Sequence, residues 1–201
     1  MASHQELSEI CQESYRRSDF EEASIEVVVK KNVFAFRGTD EPLDALRDLR
    51  IIPLWTKELG WCPAGFLRAS KRLVNKVTST CLEYGIDHQN IELTGHSLGG
   101  AIAQIIGMWL HKRNHNVQIF SYGSPKVSSE ILSGGQPTHW RVVRLSDPIP
   151  FSPMWPFRHT GLFIDSQTLD WGPDNDNGLI SKTDGLTHAI AKYVETLKEQ
   201  L

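Results

Sequence analysis

"IELTGHSLGGA", residues 91–101, carries the pattern G-x-S-x-G at Gly95, Ser97 and Gly99. Such a triplet arises by chance in about 7% of chains this long, so its neighbours must decide what it means. A serine nucleophile turn needs a strand before it and a helix after it. "NIELTG" (90–95) is short, apolar and closed by glycine, which predicts a strand. "SLGGAIAQIIGMWLHKR" (97–113) is apolar nearly all round, which predicts a buried helix. In that context the small residues two before and two after Ser97 let the chain turn sharply and raise Oγ between strand and helix. The Leu98 N–H, at the helix start, would then face an oxyanion and gain from the helix dipole.

Working outward, residues 4–17 predict a first helix with Ser3 as N-cap. "SIEVVVKKNVFAFRG" (24–38) reads as a two-stranded hairpin broken at Lys30-Lys31-Asn32. A helix is predicted over 64–84, where Phe66, Leu73, Val77, Cys81 and Tyr84 recur near 3.6 and Gly85 supplies the stop. Strands follow at 117–123 and 140–146, with a short helix near 126–133 between them and one or two strands within 160–172. A last helix spans 186–200, where Ile190, Tyr193, Val194 and Leu197 share a face. Helices alternating with apolar strands predict one α/β unit over 1–201. Its sheet is mostly parallel, with helices on both faces and active groups beyond the carboxyl ends of the strands.

Serine needs a base, and the base an orienting acid. Asp147 in "RVVRLSDPIP" (141–150) follows a predicted strand on a loop stiffened by Pro148 and Pro150. Asp165 and Asp170 fall within or between predicted strands. Of eight histidines, His4, His88, His111 and His115 read as solvated, His96 as pointing away from the reacting face, and His139 as upstream of the acid. His159 and His188 are left, and His188, after the final strand, has the better position. In "VFAFRGTD" (33–40) a strand runs into a glycine turn, where Thr39 could supply a second oxyanion donor.

The bulk numbers agree with a globular, water-exposed chain. It has 201 residues, 40% apolar, and a formal charge of −3, which gives no electrostatic reason to expect a nucleic-acid partner. Cys11, Cys62 and Cys81 form neither a disulfide framework nor a metal pattern, so a reducing compartment is the simpler expectation. The polar N-terminus lacks an apolar signal core and no run has membrane-spanning length. The expectation is therefore a cytoplasmic protein, or one released without a classical signal peptide. "DNDNG" (174–178) fails as a calcium loop because Pro173 stands where the first ligand belongs. No cofactor or metal is expected, and the oligomeric state is open.

Four blocks together resemble the class 3 lipases, the fungal-type triacylglycerol lipase family of α/β-hydrolases. They are "FRGTD" (36–40), "GHSLGGA" (95–101), "YGSPKV" (122–127) and "RLSDPIP" (144–150). The resemblance implies an α/β-hydrolase fold and a triad of Ser97, Asp147 and His188, with Thr39 and Leu98 in the oxyanion hole. His188 is implied because "THAIAKYVETL" (187–197) looks like the terminal segment that carries the family's base, whereas "RHTGLFI" (158–164) does not. The implied activity is hydrolysis of acylglycerol or phospholipid esters, with passing contact at a membrane or lipid surface. Soluble short-chain esters, or a non-catalytic interaction role, are the alternatives. Pro63 stands where the family usually has histidine, Leu43 or Ala45 where an aromatic is common, and the chain is shorter than the secreted fungal lipases and lacks their disulfide potential. The family's lid corresponds to residues 52–62, where Leu54, Trp55, Leu59 and Trp61 could form an amphipathic flap. Met154 and Trp155 in "FSPMWPF" (151–157) would face it as a lipid-contacting rim.

Overall fold

The Gly95–Gly99 stretch folds into the strand–turn–helix that its pattern predicts. Strand β6 (Ile91–His96) is buried along its whole length and hands the chain at Ser97 to helix α3 (Leu98–Lys112). This computed structural model describes residues 2–39, 52–129, 137–153, 156–165, 171–172 and 188–200.

Before β6 come helix α1 (His4–Glu13), strands β1 (Phe20–Glu22), β2 (Ile25–Lys30), β3 (Val33–Phe36), β4 (Pro53–Thr56) and β5 (Gly60–Pro63), and helix α2 (Ala64–Tyr84). After α3 come β7 (Val117–Tyr122), β8 (Thr138–Val143), a 3-10 turn at Ile149–Phe151, β9 (Leu162–Asp165), β10 (Trp171–Gly172) and helix α4 (Ile190–Gln200). One eight-stranded sheet runs β1-β2-β3-β6-β7-β8-β9-β10, while β4 and β5 pair separately. The strands from β3 through β9 in this order are parallel, and the outer pairs are antiparallel.

Local chemistry explains the boundaries. Ser3 Oγ accepts the Glu6 N–H at 3.1 Å and starts α1. That helix ends at Glu13, four residues short of the expected span, because Ser14 turns its hydroxyl onto the Cys11 carbonyl. The hairpin of β2 and β3 closes through Lys31 at φ 56°, as a two-residue loop demands. Helix α2 stops where the Gly85 N–H bonds the Cys81 carbonyl with Gly85 left-handed. The helix expected near 126–133 is absent from its described part: Ser128 instead bridges Arg158 antiparallel, and the segment runs extended after Pro125. Residues 130–133 of that expectation lie outside the described residues. The described part of the terminal helix begins at Ile190.

Helices α2 and α3 pack together on one face of the sheet, over a core that includes Phe34, Phe36, Leu73, Val77, Leu93, Ile102 and Ile106. On the other face α1 packs on α4, with Cys11, Tyr122, Val142, Tyr193 and Leu197 in contact. No helix among the described residues is long and apolar enough to cross a membrane.

Candidate active site

The parallel register sets the site. Phe36 of β3 lies beside Gly95 of β6, and His96 beside Tyr122 of β7, so Arg37-Gly38-Thr39, Ser97 and Gly123 emerge side by side at the carboxyl edge. Ser97 sits at φ 54°, ψ −125°, a backbone strain of about 1–3 kcal/mol for a residue with a Cβ. Its N–H donates to the Tyr122 carbonyl at 3.0 Å, and its carbonyl accepts the Ala101 N–H of α3 at 3.2 Å. Gly99 is needed because any Cβ there would run into the Phe36 carbonyl.

Asp147, fully buried, comes off the end of β8. Its Oδ1 accepts the Ile149 N–H at 2.9 Å, which folds the Asp-Pro-Ile turn around the carboxylate. Its Oδ2 accepts from His188 Nδ1 and from the Tyr193 hydroxyl, both at 2.6 Å. That contact and burial push the Tyr193 phenol well up, so it stays a donor. His188 is also buried, and its Nε2 has no hydrogen-bond partner among the described residues. Bonding Nδ1–H to the carboxylate leaves the buried Nε2 as the ring nitrogen with a free lone pair. Gly123, next to the Tyr122 carbonyl that accepts the Ser97 N–H, packs against this pair: a Cβ on it would lie 2.9 Å from Asp147 Oδ2 and 3.1 Å from His188 Cε1, and its φ is +57°. Ser97 Oγ and His188 Nε2 are not hydrogen-bonded, a separation common in such sites before substrate arrives.

The competing groups have other partners. His159 Nε2 bonds the Pro150 carbonyl at 2.5 Å and so braces the acid loop. His139 lies between Ser121 Oγ at 2.9 Å and Thr160 Oγ1 at 3.1 Å. Asp170 and the Asp165 side chain lie outside the described residues.

Sequence reasoning missed His96. Expected to point away, it stacks on His188 with ring centroids 4.5 Å apart and a tilt of 34°. Its Nε2 donates to the His188 carbonyl at 2.5 Å, so its Nδ1 must be the acceptor, here from the Tyr15 hydroxyl at 2.8 Å. Full burial, with His188 beside it, holds its pKa well down and keeps it neutral. Tyr15, just past α1, was equally unmarked in sequence. Its ring also lies under the Arg37 guanidinium at 5.4 Å.

Thr39 and Leu98 line one cavity of about 250 Å³ at the ends of β3 and β6. As the first residue of α3, Leu98 has an N–H without an intrahelical acceptor.

The expected flap over 52–62 takes a different form. It is the β4–β5 hairpin, docked on the flank of α3, with Leu59 fully buried against Ala101, Ile105 and Met108. Ser128 Oγ donates to the Leu59 carbonyl at 2.6 Å, and Trp61 exchanges bonds with Ser129 at 2.9 Å. Leu54, Trp55 and Trp61 are left exposed: β4 buries neither face, and in β5 Trp61 points outward between the buried Gly60 and Cys62. Met154 and Trp155 lie outside the described residues.

A positive-φ serine between strand and helix, at the edge of a parallel sheet and beside a buried Asp–His pair, defines an α/β-hydrolase fold. Within it the chain belongs to the lipase (class 3) family, which matches residues 33–157. A secreted mono- and diacylglycerol lipase 1 of Fusarium solani is 32% identical over 107 residues, covering 49% of this chain and 31% of that protein. A lipase of Rhizomucor miehei is 27% identical over 142 residues, covering 63% and 39%. The chain thus spans well under half the length of these relatives. Among solved structures, a triacylglycerol lipase from Penicillium expansum superposes with a TM-score of 0.62 at 15% identity, over 87% of this chain and 83% of that one. The Rhizomucor miehei lipase–propeptide complex gives 0.62 at 24%, over 82% and 62%.

Proposed function

We propose that this chain is a serine ester hydrolase acting on acyl esters of lipids, acylglycerols or phospholipids, through Ser97, His188 and Asp147. The observation that carries the reading is the buried His188–Asp147 pair, its imidazole Nε2 without a partner among the described residues, packed through Gly123 beside the strained Ser97 turn. His188 Nε2 takes the Ser97 proton as Oγ bonds the ester carbonyl carbon. The carbonyl π electrons move to oxygen, where the N–H groups of Thr39 and Leu98 receive the charge. The C–O bond to the alcohol then breaks, and His188 gives the proton to the leaving alkoxide. Water, deprotonated by His188, attacks the acyl-serine, and collapse releases the acid and restores Ser97. Asp147 holds the imidazole in the required tautomer and stabilises its cation. We take residues 1–201 as one α/β unit, since the main sheet draws strands from Phe20 to Gly172 and α4 packs back on α1.

The test is hydrolysis of p-nitrophenyl esters from acetate to palmitate by the wild type and Ser97→Ala. Serine-dependent turnover that rises with chain length, and a loss on the order of 10⁴-fold or more in Ser97→Ala, is expected. Turnover retained in that variant would remove Ser97 from the role. Turnover confined to the shortest esters would move the substrate class to soluble carboxylic esters.

A further inference from the structure

Four of the large hydrophobic side chains exposed to solvent belong to one short segment: Ile52 and Trp55 at 57%, Leu54 and Trp61 at 45%. The β4–β5 hairpin, with Ile52 just before it, is seated through Leu59 in its turn and Cys62 in β5, both buried in the core, and that seating leaves these four side chains outside. Beside the hairpin, between it and helices α2 and α3, runs a groove of about 680 Å³. Leu54, Leu67, Val74 and Trp109 give it an apolar floor, and Arg68, Lys71, Lys112 and Arg113 line it with positive charge. Among the described residues, Glu58 is the single acidic side chain along it. Lys112 donates to the Glu58 backbone carbonyl at 2.6 Å. Among the described residues, no carboxylate pairs with Arg68, Lys71 or Arg113. A chain of net charge −3 therefore gathers unpaired cations around one apolar strip. Arg68 also lines a second cavity that includes Leu98, so the cationic strip continues to the mouth of the site.

We infer that this flank docks the protein on a lipid surface carrying anionic headgroups. The hairpin tryptophans sit at headgroup depth, and Arg68, Lys71, Lys112 and Arg113 pair with the anionic lipids. An apolar strip alone would fit any hydrophobic partner. The cations beside it supply the complementarity that selects a negative interface, and tryptophan is the side chain suited to the boundary between water and acyl chains. The hairpin then serves as a fixed platform, held by Leu59 and Ser128, that brings the Leu98 side of the site to the lipid. The inference builds on the lipid-ester reading above and assigns it a surface and a headgroup charge.

The experiment uses the Ser97→Ala chain, so that no hydrolysis alters the lipid. Its co-sedimentation is measured with phosphatidylcholine vesicles and with vesicles one-third phosphatidylserine. Binding at least about tenfold tighter to the anionic vesicles is expected, weakening as salt is raised. Each cation contributes roughly fivefold, so Lys71→Glu with Arg113→Glu should weaken binding by about 25-fold or more. Leu54→Ser with Trp55→Ser, at exposed positions, should weaken binding to both vesicle types. Equal binding to the two compositions, binding unmoved by charge reversal, or capture of monomeric oleate without vesicle binding would each overturn the inference. Hydrolysis of soluble esters by the wild type is scored separately, so failure of docking and failure of the triad are told apart.

Discussion

At the scale of single residues, a hydrogen-bonded line runs from outside the proposed triad into it. The Tyr15 hydroxyl donates to His96, and His96 donates to the carbonyl of His188. Leaving that buried carbonyl without a donor costs about 1–3 kcal/mol and frees the loop that aims the base. Neutrality matters as much as the bond, because a second cation 4.5 Å from His188 would oppose the imidazolium formed during reaction. His96→Leu should lower kcat about ten- to hundredfold with little change in KM. His96→Gln, which keeps an N–H donor, should recover part of that loss. Steady-state kinetics on a soluble ester check this; equal kcat values for the two variants would assign His96 to packing alone.

At the scale of elements, the β4–β5 hairpin separates residues alike in sequence. Leu54, Leu59, Trp55 and Trp61 are all large and apolar, yet only Leu59, in the turn between the strands, is inside, because that is where the hairpin seats against α3. Leu59→Ala should cost about 2–5 kcal/mol in urea unfolding, since it empties a filled position against α3. Trp55→Ala, at an exposed position, should stay within about 0.5 kcal/mol. Similar losses in both would mean the hairpin is not seated as described. The helix expected near 126–133 does not form over its described residues, 126–129, for a related reason. The pairing of Ser128 with Arg158 and the bonds from Ser128 and Ser129 to the hairpin outweigh a weak local propensity.

At the scale of the whole molecule, acid is the stress to which this packing is most exposed. Burial pushes His139 down to about 3, and holds His96 and His159 well below 6.5. Arg141 beside His139 and His159 acts in the same direction, and their hydrogen bonds to Thr160 and Pro150 act against it. Unfolding lets these rings take up protons near pH 6.5 while the folded state refuses them. Stability is therefore complete above about pH 6.5 and falls as pH drops, for His139 down to about 3. With three such groups the slope reaches up to about 4 kcal/mol per pH unit. Thermal melts followed by circular dichroism should give a steady Tm from pH 8 to 7 and a falling one from 6.5 to 5. A flat Tm over that second interval would contradict the neutral burial of these histidines.

The sequence by itself determined the parts whose information is local. Periodicity located α2 to the residue and the buried strand before Ser97, because apolar spacing and a glycine stop are properties of neighbouring residues. The G-x-S-x-G turn was legible for the same reason: Gly95 and Gly99 must be small where Ser97 is strained. The proposed triad order Ser97, Asp147, His188 came from the Ser–Asp–His chain order of hydrolases and the places of Asp147 and His188 relative to the predicted strands, and was strengthened by the family blocks. Only the tertiary structure brought Tyr15 and His96 to His188, and Tyr193 to Asp147, since these partners lie 46 to 92 residues apart and no local pattern marks them. It also turned the 52–62 segment from an expected flap into a docked hairpin. Which apolar side chains a short strand buries is decided by the surface it lands on, and that surface is assembled from α3 and the chain after β7.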